Sequence, residues 1–423
     1  MKITRIETIW FEALPEAEWR KANPSSRQAL PNNLWVRLHT DDGLVGLGET
    51  YYLPRAVAAV IHSVFAPLLL GREALNIENH WQNFFSLVSF CGYAGAEMRA
   101  LSALDIALWD LAAQKLGQPI YNLLGGRSRD RVPIYNTCVS FGKYKDLELA
   151  TTGHAGELAK DLLRQGIRAM KVWPFDQFGT TLAGPDRPRQ PVVIWGATTA
   201  AGVLAHSIPN EELKRGVSVV EDIRRAVGDQ MGIAIEGHAR WDLPTATRIA
   251  RALEPFDILW LEEVMPPDNV EAYVRLKQTT RIPLCQSERV FSRFGFRPWI
   301  EKNAADIIMP DLSWCGGLTE GRKIASLADT YYLPVTCHDT IGPVALWAAV
   351  HLMLHIPNAL IMETVRGYLD GWYEDVVTDR IPVSDGHISL PMRPGLGTKL
   401  QPDFTDRPNV RVEETTEASL RHW

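Results

Sequence analysis

Ile258-Leu259-Trp260-Leu261-Glu262-Glu263 is a short apolar run that closes on two carboxylates, and its neighbours repeat the pattern. Upstream, Gly232–Gly237 carries Glu236 near its end; downstream, Ile282–Glu288 stops on Glu288. Working outward gives eight such runs: Val132–Thr137, Ala169–Trp173, Gly232–Gly237, Ile258–Glu263, Ile282–Glu288, Asp306–Asp311, Leu333–Asp339 and Ala359–Thr364. Amphipathic, helix-like sequence separates them. From Glu236 onward the run ends fall at 236, 262, 288, 311, 338 and 363, a spacing of 23 to 27 residues. That spacing holds one strand, one helix and two short loops. Continuously apolar strands imply a parallel sheet buried on both faces, and eight such units imply a closed (β/α)8 TIM-type barrel. The fold class is therefore α/β, with the barrel over residues 129–373. The longer interval from Lys171 to Glu236, 65 residues, contains a Gly/Pro-rich insertion, Phe175–Pro209, expected to run over the barrel mouth.

Residues 1–128 read as a separate α+β unit. Leu34–Thr40 alternates, Asp41-Asp42-Gly43 supplies a hairpin turn, and Leu44–Glu49 continues as a second strand. Gly43, Gly46 and Gly48 resemble part of a nucleotide loop, but they follow a hairpin rather than joining a strand to a helix. Glu97–Leu116 reads as a helix stopped by Gly117 and Pro119. The tail, residues 374–423, is expected to return to this first unit and complete it.

Composition excludes some classes. A chain of 423 residues with 46% hydrophobic and 22% charged residues buries a large core, and its length suits a barrel plus a second unit. The net charge of −6 and the lack of a basic cluster beyond Arg127–Arg131 argue against nucleic acid. Cys91, Cys138, Cys285, Cys315 and Cys337 show no CxxC spacing, as expected of reduced thiols in a cytoplasmic protein. The apolar run Val57–Leu70 is too short to span a bilayer, and the first residues alternate like a strand rather than a signal peptide. No membrane partner is expected.

The strand ends of such a barrel converge on one mouth, where active sites sit. Here they bring Lys171, Glu236 with His238, Glu262 with Glu263, Glu288, Asp311, His338 with Asp339, and Glu363. One acidic residue at a strand end is usually a cap or loop residue. Three on consecutive strands, Glu236, Glu262 and Glu288, repel strongly unless a divalent cation lies among them. Hard oxygen ligands without cysteine favour Mg2+ or Mn2+. Glu263 and Asp339 point away from their neighbours and read as loop groups. Asp311 beside His338 forms a general-base pair, while His351 and His355, on the following helix, read as satisfied core residues.

Further motifs extend the pattern along nearly the whole chain: Ala103–Leu111, Trp260-Leu261-Glu262-Glu263, Pro310-Asp311 with Gly316-Gly317-Leu318-Thr319, His338 with Gly342-Pro343, and Pro394-Gly395-Leu396-Gly397. Jointly these resemble the mandelate racemase branch of the enolase superfamily. The resemblance implies Glu236, Glu262 and Glu288 as metal ligands, His338 with Asp311 as the base, Glu363 as an acid assisting the substrate carboxylate, and a homo-oligomer. It also implies that the first domain caps the mouth and selects the substrate, a small-molecule carboxylate. Two positions depart from the pattern: Lys171-Val172-Trp173 stands where the racemases carry Lys-x-Lys, and Glu236 replaces an aspartate. The ligand-x-His arrangement of Glu236 and His238 is similar to sugar-acid dehydratases of this branch, galactonate dehydratase among them. It implies dehydration of an aldonate or aldarate: Lys171 and the metal bind the carboxylate, His338 takes the α-proton, the metal holds the enediolate, and His238 protonates the departing β-hydroxyl. A 2-keto-3-deoxy acid results. The alternative is a racemase or epimerase using His338 and His238 as opposed bases; a non-catalytic sugar-acid binding protein is a third reading. Trp173 and Arg289 are the substrate-contact candidates, and Ala13–Asn33, Tyr51–Arg55 and the 175–209 insertion are the candidate specificity loops.

Overall fold

The computed structural model describes residues 1–12, 32–181, 204–286, 288–389 and 391–420. Most of the Ala13–Asn33 loop and of the Phe175–Pro209 insertion lies outside the described residues. In the first unit, strands Ile3–Phe11, Asn33–Thr40 and Val45–Tyr51 form an antiparallel sheet, with Gly43 turning the hairpin at φ 84°. Helix Ala96–Lys115 lies against it, one residue offset from expectation. Gly46 and Gly48 make that approach possible. A Cβ on Gly48 would stand 1.9 Å from the Ala103 carbonyl oxygen, and one on Gly46 2.3 Å from that of Ala107. These are close-packing glycines, not a nucleotide loop. The apolar run Val57–Leu70 is helical and buries Val57, Ile61, Phe65 and Leu69 in this unit's core. No described helix is long and apolar enough to cross a membrane.

The barrel strands are Arg131–Thr137, Ala169–Val172, Gly232–Glu236, Trp260–Glu262, Leu284–Gln286, Ile307–Ile308 and Met362–Thr364; the first six pair in parallel in that order, and the last pairs with the first. The seventh run, Leu333–Asp339, forms no extended strand. Val335 alone bridges to Ile308 on one side and Ala359 on the other. Pro310 and Pro334 have no N–H to donate, which cuts the ladder short at this seam. The tail does more than expected. Its hairpin, Val383–Ser384 with His387–Ser389, pairs with Arg131–Pro133 at the bottom of the first barrel strand, and only then does Val410–Thr416 join the cap sheet beside Ile3–Phe11.

Inside the barrel, Tyr135, Ala169, Ala234, Trp260, Cys285, Ile307 and Met309 form one apolar cluster. Two residues further along most strands the inward positions turn polar: Thr137, Lys171, Glu236, Glu262, Asp311 and, with Ile361 below it, Glu363. An apolar floor therefore lies directly beneath a charged mouth.

The cap is fastened to the loops that carry Asp311 and His338. Glu49 accepts hydrogen bonds from the Val344 and Ala345 amides, both 2.8 Å, at the start of helix Pro343–His355. Asp105 accepts from the Thr319 amide at 2.9 Å and its hydroxyl at 2.5 Å, at the start of helix Gly317–Thr330. Asp110 accepts from the amides of Leu47 and Leu396, both 2.8 Å, tying helix, sheet and tail together. Carboxylates at helix N-termini satisfy orphan N–H groups and complement the dipole. These residues explain why the Ala103–Leu111 motif carries two aspartates.

His351, read as a satisfied core residue, is fully buried; it donates from Nε2 to the Leu396 carbonyl at 2.9 Å and accepts from the Tyr121 amide at 3.3 Å. Burial pushes its pKa down from 6.5 to about 4, so it is neutral in the folded chain and would take up a proton only on unfolding. Its contribution is full above pH 6.5 and is lost as pH falls toward 4. The expected loss is about 3 kcal/mol across that window. Thermal midpoints measured across it should fall steeply for the native chain and less steeply for His351→Gln.

Candidate active site

Three carboxylates meet at the mouth. Ligand oxygens of Glu236, Glu262 and Glu288 lie within 4.8 Å of one another, and all three side chains are buried. Glu236 and Glu262 end adjacent strands in direct register. Glu288 arrives differently: the strand ends at Gln286, and the turn beyond it brings the side chain in. The Lys171 ammonium sits among the acids, 2.6 Å from Glu262, 2.8 Å from Glu363 and 3.3 Å from Glu236. Burial and the neighbouring charge of Glu288 push Glu236 up to about 7 despite Lys171. Burial and Glu236 also push Glu262 well above the usual carboxylate range. Glu288 is held low, because His338, Arg289, Lys171 and His238 outweigh its burial.

This donor set fits a hard divalent cation. Its ligands are all carboxylates, and Oε2 of Glu288 is buried without a hydrogen-bond partner. Glu236 Oε1 is fixed by the His238 amide at 2.8 Å and Glu262 Oε2 by the Trp260 indole at 2.9 Å, so the cluster is oriented before any ion binds. Mg2+ at about a hundred times its dissociation constant should stabilise the folded chain by about 2.7 kcal/mol. A thermal-shift titration should show a clear rise for the native chain and little for Glu262→Gln.

His338 Nδ1 lies 2.7 Å from Asp311 Oδ2, and Asp311 Oδ1 is itself held by the Ser313 amide at 2.7 Å and hydroxyl at 2.6 Å. Burial lowers the imidazole pKa, but Glu363, Glu288 and Asp311 overcome it and raise it to about 10. A cation among the glutamates would cancel part of that field. The Trp314 ring backs His338 at 5.3 Å. On the other flank, His238 Nδ1 lies 2.6 Å from Asp176 Oδ2, with the Trp173 ring edge-on at 4.9 Å. The strand has ended at Glu236, and His238 sits at φ 45°. A left-handed turn, rather than strand alternation, delivers it.

Residues 154–404 match the family model described as enolase C-terminal domain-like, and residues 25–125 match the mandelate racemase/muconate lactonizing enzyme N-terminal domain. The chain belongs to the mandelate racemase/muconate lactonizing enzyme family of the enolase superfamily. This family member is 33% identical to a D-xylonate dehydratase of Haloferax volcanii, over 89% of the chain and 85% of the relative. It is 30% identical to a D-galactonate dehydratase of Xanthomonas oryzae pv. oryzae, over 100% and 98%. Among solved structures, a mandelate racemase subgroup enolase from Agrobacterium tumefaciens is 38% identical, covers 99% of this chain and 100% of its own, and superposes with a TM-score of 0.82.

The structure brings Glu236, Glu262, Glu288, Lys171, Glu363, His338 and Asp311 together as the family member's sequence suggests. Several of these side chains already have partners. Lys171 and His338 outweigh the burial of Glu363, expected as an acid, and hold its pKa down to about 2, while Thr137 and the Asp339 amide donate to it. Lys171, expected on the substrate, is engaged with the glutamates. Arg289 is engaged too, 2.8 Å from Glu263. Trp173 packs on His238, and its indole N–H is buried and unpartnered. The residue that sequence reading missed is Asp176. It stands at the start of the insertion, and no spacing rule ties it to a histidine 62 positions away.

Proposed function

We propose that this chain is a metal-dependent sugar-acid dehydratase that converts an aldonate or aldarate to a 2-keto-3-deoxy acid. The observation that carries the reading is a pair of histidines, each with a buried carboxylate on Nδ1, flanking one cluster of three glutamates. The names of the relatives, D-xylonate, D-gluconate and D-galactonate dehydratases at 30 to 33% identity, support the same class. A divalent ion, Mg2+ or Mn2+, held by Glu236, Glu262 and Glu288, would supply positive charge where the substrate's carboxylate gains electron density. Lys171, held among Glu236, Glu262 and Glu363, adds a second positive charge beside that cluster. His338, oriented by Asp311, takes the α-proton on Nε2, leaving the C–H electron pair to form a double bond toward Cβ. The β-hydroxyl leaves with a proton from His238 as water. The resulting enol takes a proton at C3 and gives up its O–H proton to become the ketone, so nothing beyond water is released.

The near-equivalence of the two histidine–aspartate pairs favours one second reading: an epimerase in which His238 returns a proton to the opposite face. Product identity separates them. Incubation with Mg2+ and a library of aldonates and aldarates should yield a carbonyl product reactive with semicarbazide; recovered substrate of inverted configuration, with deuterium at Cα and no carbonyl, would favour the epimerase instead. His338→Asn should lower turnover by about 10²–10⁴-fold with the circular dichroism spectrum unchanged. Thorough chelation should abolish turnover, and Mg2+ or Mn2+ should restore it. Full activity without a divalent ion would sink the reading.

A further inference from the structure

The buried carboxylates among the described residues differ in what they accept. Glu49, Asp105 and Asp110 each accept from backbone amides at the cap–barrel junction, so their work is to hold main chain in place. Asp176 is as buried as these, 2% exposed, yet it accepts no backbone amide among the described residues. Its one hydrogen bond goes to the His238 imidazole at 2.6 Å, and its second oxygen is buried with no partner. Leaving a carboxylate in such a place costs free energy that no helix cap or loop anchor returns. The turn after strand Ala169–Val172 carries both Trp173, edge-on to the imidazole, and Asp176, so one short segment fixes the ring's plane and the direction of its Nδ1. With Nδ1 tied to Asp176, the ring's other nitrogen, Nε2, lies on the opposite edge of the imidazole. Asp311 stands in the same relation to His338, at 2.7 Å, with Trp314 against that ring.

We propose that Asp176 is the positioning residue for His238, holding Nε2 toward the substrate's departing β-hydroxyl. The site then consists of two separately oriented halves: Asp311 with His338 removes the α-proton, and Asp176 with His238 delivers one to the leaving group. This rests on the dehydratase reading, and it predicts that the halves can be uncoupled. A neutral amide at position 176 can hold the imidazole in the wrong tautomer without changing its shape, which is why Asp176→Asn is the informative variant.

In D2O, Asp176→Asn should lower kcat for dehydration by about 10²-fold. KM should stay near that of the native chain, and wash-in of deuterium at Cα of recovered substrate, which needs only His338, should persist. His238→Asn should behave the same way, and combining the two changes should add nothing, as expected of residues acting as a unit. Parallel loss of exchange and dehydration, unchanged dehydration, or additive losses would each overturn the proposal. A readout independent of turnover is the downfield imidazole N–H proton resonance, assigned to His238 by its absence in His238→Asn. It should vanish or move upfield in Asp176→Asn and in Asp176→Ala while the Mg2+-induced thermal shift remains. Its persistence unmoved would overturn the proposal as well. If the native chain neither exchanges nor dehydrates any acid tested, the dehydratase reading fails, and the resonance alone decides whether Asp176 governs His238.

Discussion

The constraint on which this molecule depends is the crowding of negative charge over an apolar floor. Glu236, Glu262 and Glu288 approach within 4.8 Å above a layer that includes Tyr135, Ala234 and Trp260. Little water is available to screen them, so each carboxylate raises the cost of ionising the next. The Lys171 ammonium offsets part of that cost through contacts with three glutamates. A centre so arranged favours positive charge, whether an ammonium or a divalent ion. The high pKa of His338 follows from Glu363, Glu288 and Asp311 beside it, and the low pKa of Glu363 from Lys171 and His338.

Holding that arrangement is the task of the surrounding layers. The cap does not merely cover the mouth: Glu49 and Asp105 grip the first turns of the two helices that follow His338 and Asp311. Thr50 and Trp81 add bonds to the Ser313 and Gly316 carbonyls, 2.7 and 2.8 Å, in the loop between Asp311 and helix Gly317–Thr330. The loop that carries Asp311 is thus pinned from the cap side, as well as by Asp311's bonds to Ser313. The placement of the Asp311 and His338 side chains comes from such supporting bonds.

The two flanks of the site are built alike by different means. On one, His338 follows a barrel seam reduced to a single bridge at Val335, and its carboxylate partner comes from the neighbouring strand end. On the other, His238 sits in a left-handed turn beyond its strand, and its partner comes from the turn after the second strand. Each histidine thus has a buried carboxylate at Nδ1 and an aromatic wall, and the barrel supplies both on each side.

The sequence by itself determined the barrel, because the spacing from Glu236 to Glu363 and the two-residue alternation are local, periodic consequences of strand and helix geometry. It also pointed to Glu236 and Glu262, which close strands whose alternation fixes their direction, and to Glu288, Asp311 and His338 by their place in the repeat. The tertiary structure alone decided the rest. Glu288 and His238 reach the mouth through turns after their strands have ended, where alternation no longer says which way a side chain points. The pairing of Asp176 with His238, the glycines at 46 and 48 under the Ala96–Lys115 helix, and the grip of Asp105 on Thr319 all join residues far apart in the chain. Such contacts depend on how finished elements pack, and no pattern within a single element records them.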